Sequence, residues 1–298
     1  GPPTAATAER RHGPDRASLR GQLAVVTGAA SGIGAAIAES CAMYGMAVLL
    51  ADVEEEALER TVTSLRRRGA PATGRVVDVG EPRQVASLAE EAYASGETVR
   101  LLFNNAGVGV VRSFLETTLE DWRWTLEVNL WGVLHGVRAF LPRMLEQRCR
   151  ARIVNTASAA GLLAPADLSA YAVSKHGVVA LSESLQAELA AAASDVRLVV
   201  LCTGLVRTNI NQAERNRPRR HHNPDEILDR GDELAEAMEA AMTPEELTRI
   251  LFAALERGDF LVCSHGETPD QLRARCERLL SGEGPPPPWP DQASGEAD

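Results

Sequence analysis

The sequence predicts an α/β protein: one domain built on a doubly wound, parallel, seven-stranded sheet with helices on both faces. Three observations lead there. Short continuous apolar runs alternate with longer segments of helical pattern, as parallel strands do when crossover helices bury both their faces. A glycine-rich turn joins the first such run to the first helical segment. The chain has 298 residues, 45% hydrophobic and 24% charged, enough for one sizeable core.

The strand-like runs are residues 23–27, 47–51, 75–79, 99–103, 152–156, 196–202 and 260–263. Between the first two, "GIGAAIAESCAMYG" reads as a helix capped by Gly45. "EEEALERTVTSLRRRG" opens with acids and closes with bases and Gly69, which suits the helix dipole at both ends. Residues 118–145 read as one long amphipathic helix, and residues 169–193 as an Ala-rich one. Right-handed crossovers then place ligands beyond the carboxyl ends of the strands, so chemistry is expected just after them.

Residues 1–20 are polar, lack the apolar stretch of a secretory signal, and read as a flexible arm, with Gly1-Pro2 a scar of tag cleavage. The domain is expected over 21–281, with an insertion at about 209–242. Residues 282–298 are rich in Pro, Gly and acid and read as a disordered tail, or as a docking segment built on the polyproline stretch. The net charge of -10 argues against a general nucleic-acid surface. Five scattered cysteines without a CxxC argue against a disulfide framework and for a reducing, cytoplasmic setting. No apolar run approaches the roughly 20 residues of a membrane span.

The turn "TGAASGIG" spans Thr27 to Gly34. Its glycines 28, 32 and 34 permit a tight turn and close backbone approach to a pyrophosphate, and the helix that follows offers free N–H groups. Asp52 ends the next strand about 20 residues on, where an acid accepts from adenosine ribose hydroxyls. Glu54, Glu55 and Glu56 follow, chiefly as N-terminal helix charge. No Arg or Lys stands in the loop or just after Asp52, so a 2′-phosphate would meet negative charge, and NAD is expected over NADP.

With "NNAG" at 104–107, "IVNTAS" ending at Ser158 and "YAVSK" at 171–175, this loop resembles the short-chain dehydrogenase/reductase family in order and spacing, over roughly residues 20–265. The resemblance implies a Rossmann fold, a nicotinamide cofactor and an Asn–Ser–Tyr–Lys tetrad, here Asn129, Ser158, Tyr171 and Lys175. It implies cofactor contacts from Gly28, Ser31, Gly32, Ile33 and Gly34, then Asp52 and Val53. Asp78 and Val79, closing the third strand, Asn104, Asn105, Ala106 and Gly107 after the fourth, and Gly204, Val206 and Thr208 after the sixth complete the set, with Tyr171 and Lys175. It further implies a homotetramer or homodimer, formed through the long helix and the Ala-rich helix, in which Gly132 and Gly136 would allow close contact.

The chemistry can be argued independently. Oxidising an alcohol needs a base, and tyrosine, with a reference pKa of ~10, is a poor one at neutral pH. Bringing it to about 7 takes roughly 4 kcal/mol, which one ammonium at about 4 Å supplies at an effective dielectric near 20. Lys175 stands one helical turn from Tyr171. Ser158, at a strand end, can hydrogen-bond the substrate oxygen, and Asn129 would hold a water that passes the proton on; the family resemblance further implies that Lys175 bonds the nicotinamide ribose.

One departure stands out: Thr203 replaces the proline the family usually shows after the sixth strand. Residues 161–168, 107–111, Leu205 and Val206 suggest a hydrophobic substrate face, and the family resemblance implies that 209–242 is a substrate lid. The basic run "RNRPRRHHN" could attract an anionic substrate or form a solvated loop. His221 and His222 lack a third ligand at regular spacing, so no metal is expected. His135 and His176 read as packing residues. The leading function is an NAD-dependent alcohol dehydrogenase or ketone reductase acting on a small molecule. A non-redox dehydratase, cyclase or isomerase on the same scaffold, and a nucleotide-sensing protein, are the alternatives.

Overall fold

A computed structural model describes residues 16–223, 238 and 240–284. The greater part of both expected tails, and residues 224–237 and 239 of the insertion, lie outside the described residues. The strands are β1 Leu23–Thr27, β2 Ala47–Asp52, β3 Ala72–Val76, β4 Val99–Asn104, β5 Ala151–Thr156, β6 Val196–Cys202 and β7 Leu261–Cys263. They form one sheet in the order β3-β2-β1-β4-β5-β6-β7, and every pairing is parallel. The order reverses between β1 and β4, which makes their carboxyl ends the natural place for a ligand.

The helices are α1 Gly32–Met43, α2 Glu55–Arg67, α3 Pro82–Ala94, α4 Leu119–Leu126, α5 Gly132–Glu146, α6 Ser169–Ala191, α7 Pro244–Arg257 and α8 Thr268–Leu280. Successive strand residues point to opposite faces, and this splits the core in two. Ala24, Val26, Leu101, Phe103, Val154 and Leu201 meet Ile37, Leu58, Leu247 and Phe252 from α1, α2 and α7. Val25, Leu49, Leu102, Ile153 and Val200 meet Leu88, Phe140 and Val178 from α3, α5 and α6. Each large side chain so buried contributes about 1.5–3 kcal/mol relative to exposure.

Three expectations are corrected. Residues 16–19, assigned to the flexible arm, form a helical turn, and Leu19 is buried in the first core. The third strand lies earlier than its apolar run suggests: Ala72–Val76 pairs with residues 48–52 of β2, so Asp78 and Val79 follow the strand rather than close it. Its Gly74 lets α2 pack closely (a Cβ there would lie 3.0 Å from Val62), and Val77 and Val79 turn into the second core. The long amphipathic segment is broken between α4 and α5 by a π-turn, Glu127–Trp131, in which the Gly132 N–H donates to the Glu127 carbonyl. Gly132 and Gly136 are turned to their own sheet. Their absent Cβ atoms would lie 2.7 Å from Val79 Cγ2 and 2.0 Å from Asn104 Oδ1, so these glycines seat α5 against its own sheet.

Candidate active site

A cleft of roughly 1100 Å³, counting its open mouth, runs across the carboxyl ends of the central strands. Its wall includes Gly28, Ser31, Gly32, Ile33, Gly34, Asp52, Val53, Asp78, Val79, Asn105, Ala106, Gly107, Tyr171, Lys175 and Thr208. The fold thus gathers residues from six separate stretches of sequence.

At one end the glycine loop turns from β1 into α1. Gly28 and Gly32 have φ of 65° and 53°, and a Cβ on Gly34 would sit 2.0 Å from the Gly28 carbonyl, so side chains are excluded by the path of the chain itself. Ser31 caps α1 without a side-chain bond to it, and the first turn offers N–H groups to an anion. Thr27 Oγ1 accepts from Asn105 N at 3.0 Å and Ala106 N at 3.1 Å, and Asn105 Nδ2 donates back to the Thr27 carbonyl. Asn104 bonds Asn155 across the sheet. The "NNAG" segment therefore ties β4 to its neighbours as well as lining the cleft.

Asp52 Oδ2 accepts from Ala30 N at 2.8 Å and Oδ1 from Glu54 N at 3.0 Å. These bonds aim the carboxylate across the glycine loop. Burial nonetheless holds it above the usual carboxylate range, with the two N–H donors opposing.

At the other end, α6 carries Tyr171 in its first turn and Lys175 one turn later. The Lys175 ammonium, 2% exposed, lies 5.6 Å from the centre of the Tyr171 ring and donates to the Thr156 carbonyl at 2.9 Å. One acceptor for three N–H donors leaves two free for a ligand, and Lys175 lines the cleft. Burial without an anionic partner lowers Lys175 to about 8. Tyr171 moves the other way: burial raises it above its ordinary value, and the facing Ser158 hydroxyl only partly opposes. Burial, not the Lys175 ammonium, sets this direction. The ammonium sits over the ring.

Ser158 is fixed by the extension of two strands. Ala157 N donates to the Leu201 carbonyl and Ala159 N to the Thr203 carbonyl, while Ser158 Oγ accepts from Ala160 N at 3.1 Å and donates to Thr203 O at 3.3 Å. Thr203, in the place of proline, therefore anchors Ser158 through its carbonyl. Its loop is held by Gly204 N donating to Ser264 Oγ at 3.0 Å, itself 2.7 Å from His265 Nδ1. Gly204 and Val206 do not line the cleft: a Cβ on Gly204 would strike the His265 ring, and Val206 is buried in the first core.

Asn129 sits in the π-turn, fully buried. Its Oδ1 accepts from Val108 N at 2.8 Å, and its Nδ2 donates to Val108 O and Ser174 Oγ. Both amide hydrogens are thus engaged in tying α6 to the loop after β4. A Cβ on Gly107 would lie 3.4 Å from Asn129 Oδ1 and 3.5 Å from Lys175 Nζ, so the two flank one small space that glycine leaves open.

Val108 and Val110 are buried with Trp124 and Ala213, but Leu162 belongs to the core and Leu205 is exposed. The basic run is partly exposed, but most of its cations are paired with acids. Arg215 pairs with Glu54 at 2.6 Å, Arg217 with Asp121 at 2.6 Å, Arg220 with Asp78 at 2.7 Å, and His221 with Glu127 at 2.9 Å. Asn216, Pro218 and Arg220 join the cleft wall, as do Trp124, Thr156 and Ile210, which the sequence argument missed. Cations thus stand at the Asp52 end after all, supplied from some 160 residues away. Only the density of Arg in that run signalled them; the acids they meet are scattered.

A family model described as short chain dehydrogenase matches residues 22–219. The chain belongs to the short-chain dehydrogenase family. As a short-chain dehydrogenase it is an oxidoreductase with a Rossmann fold. It is 33% identical over 276 residues to 1-deoxy-11-beta-hydroxypentalenate dehydrogenase of Streptomyces exfoliatus, covering 92% of this chain and 94% of that one. It is 29% identical to the CLA biosynthesis dehydrogenase/reductase of Lactiplantibacillus plantarum, covering 87% and 93%. A Burkholderia phymatum short chain dehydrogenase/reductase, solved in complex with NAD, superposes with a TM-score of 0.88 at 40% identity over 91% of this short-chain dehydrogenase and 98% of its own chain. These relatives give no support to the non-redox alternative. Among the described residues no helix is long and apolar enough to cross a membrane.

Proposed function

We propose that this short-chain dehydrogenase interconverts a secondary alcohol and a ketone on a small, largely apolar substrate, using NAD, with Tyr171 as the general acid and base. The observation that carries the reading is the buried Lys175 ammonium. It has one protein acceptor and stands beside the Tyr171 ring in the wall of a cleft whose far end is a glycine turn opening a helix. Such a charge is costly to bury unless ligand and chemistry use it.

A nicotinamide dinucleotide bound along the cleft supplies the hydride acceptor or donor. Gly28–Gly34 and the α1 N-terminus would hold its pyrophosphate, Asp52 its adenosine ribose, and the two unspent donors of Lys175 its other ribose. Ser158 would orient the substrate oxygen. In ketone reduction Tyr171 gives its proton to that oxygen, and its raised pKa keeps the proton available at neutral pH. In alcohol oxidation Tyr171 must first lose the proton, which the positive charge of Lys175 and of the oxidised nicotinamide favours. The space at Gly107, between Asn129 Oδ1 and Lys175 Nζ, suits a water that carries the proton onward. Val108, Trp124 and Val128 in the cleft wall support an apolar substrate.

NAD is favoured over NADP by charge. Around the adenosine end Asp52, Glu54, Asp78, Glu81 and Glu127 outnumber Arg215 and Arg220, and both arginines are already paired with those acids. The test is turnover of alcohol and ketone panels, followed by absorbance of the reduced nicotinamide. Turnover with NAD or NADH supports the reading, and tight NADH binding without turnover on a broad panel contradicts it.

A further inference from the structure

The described part of the insertion, expected to cover substrate, also lies against the opposite end of the cleft. It is held there by two kinds of contact. Arg217 is an inner anchor: it is largely buried, donates to Asp121 Oδ1 at 2.6 Å and stacks over Trp124 with its carbon 4.1 Å from the ring centre. Asp121 has no exposure and also receives Arg112 at 2.7 Å and Asn223 Nδ2 at 2.9 Å. Breaking a buried, multiply bonded pair is strongly unfavourable, so this anchor stays closed.

On either side of the anchor stand pairs open to solvent. Arg215 grips Glu54 with Nη2 at 2.6 Å and Nε at 3.3 Å, and Asn216 Nδ2 joins at 2.9 Å. Partial burial pushes the Glu54 carboxyl upward, yet Arg215 and Asn216 hold it below the usual carboxylate range. Arg220 donates to Asp78 Oδ2 at 2.7 Å and, through Nε, to Glu127 Oε1 at 2.9 Å. Glu54 follows Asp52 by two residues, and Asp78 follows β3 by two. The segment therefore bridges both sides of the adenosine end. Arg220 has its hydrogen-bonding edges taken by carboxylates while it lines the cleft. A guanidinium so held offers its planar face, which stacks on aromatic rings.

We propose that residues 214–221 form a standing roof over the adenosine half of the cleft, with Arg220 contacting the adenine and the Arg215–Glu54 pair acting as its outer latch. Cofactor then leaves slowly, at a rate set by ionic strength. The proposal rests on the dinucleotide reading above. It differs from a substrate lid in what it covers, and its flanking pairs are of the exposed kind that salt weakens while the buried anchor resists.

The test uses the full-length protein and NADH as probe. Release is followed by the loss of bound-nicotinamide fluorescence on mixing with excess NAD, between about 50 and about 500 mM salt. Wild-type release is expected to accelerate with salt. Glu54→Gln and Arg220→Ala should each release NADH about tenfold faster and lose part of that salt dependence, with thermal melting close to wild type because the Asp121 anchor is intact. In competition, Arg220→Ala should weaken AMP about tenfold and leave nicotinamide mononucleotide unchanged. NADH that binds but leaves at a salt-independent rate, unchanged in both variants, overturns the roof alone. Equal weakening of AMP and nicotinamide mononucleotide does the same. Wild-type protein that fails to bind NADH overturns the dinucleotide reading with it.

Discussion

Lys175 pays for its position twice, in desolvation and in pKa, and both are measurable. Burial brings it from 10.5 to about 8. A folded-state value below the unfolded one means that the native protein sheds this proton first. The Lys175 contribution to stability therefore rises with pH between about 8 and 10.5. Lys175→Met should remove that slope and, below pH 8, raise the melting temperature by roughly 2–4 °C, since about 1 kcal/mol remains after the Thr156 carbonyl loses its donor. Thermal melts across pH read this directly; an unchanged or lower melting temperature contradicts the strained-ammonium account. Turnover should run the opposite way. kcat/KM for NADH reports groups of the free enzyme, so it should fall as pH rises through about 8, where Lys175 discharges. A profile flat through that region removes Lys175 from cofactor binding.

At the scale of elements, the π-turn and the glycines of α5 decide whether the site assembles. The turn places Asn129 where one amide joins the loop after β4 to α6, and Gly136 lets α5 approach Asn104. Gly136→Ala would force a Cβ to within 2.0 Å of Asn104 Oδ1. Overpacking of this kind costs about 1–3 kcal/mol, and denaturant melts should show it; wild-type stability would mean that α5 can lift from the sheet. These features also mark what a sequence can disclose. Strands β1, β2, β4, β5 and β6 were readable because continuous apolar runs leave little choice. β3 was misplaced because its pairing is set by β2 and by close packing at Gly74, not by its own hydrophobicity. The π-turn was invisible because "LEVNLWG" keeps helical periodicity while the backbone changes register. Tyr171, Lys175, Ser158 and Asn129 could be named because their spacing matches a family pattern. The Arg215–Glu54 and Arg220–Asp78 contacts could not, since each joins residues more than 140 apart.

Taken as a whole molecule, the chain is acidic, with a net charge of -10, and concentrates acids at the Asp52 end of its cleft, the proposed adenosine end. A 2′-phosphate there would face repulsion, so kcat/KM with NAD should exceed that with NADP by about tenfold or more; parity between the cofactors contradicts the charge argument. Trp131, Leu145 and Val173, on the π-turn, α5 and α6, are exposed apolar side chains, and the family resemblance places subunit contacts on those helices. A dimer or tetramer is accordingly expected in light scattering, and a monomer at micromolar concentration argues against it. The central claim remains that Tyr171 moves the substrate proton. Comparing wild type with Tyr171→Phe, on a ketone that wild type reduces with NADH, tests it most directly. The account predicts that NADH still binds while turnover falls by about 10² or more; near-normal turnover by Tyr171→Phe would contradict it.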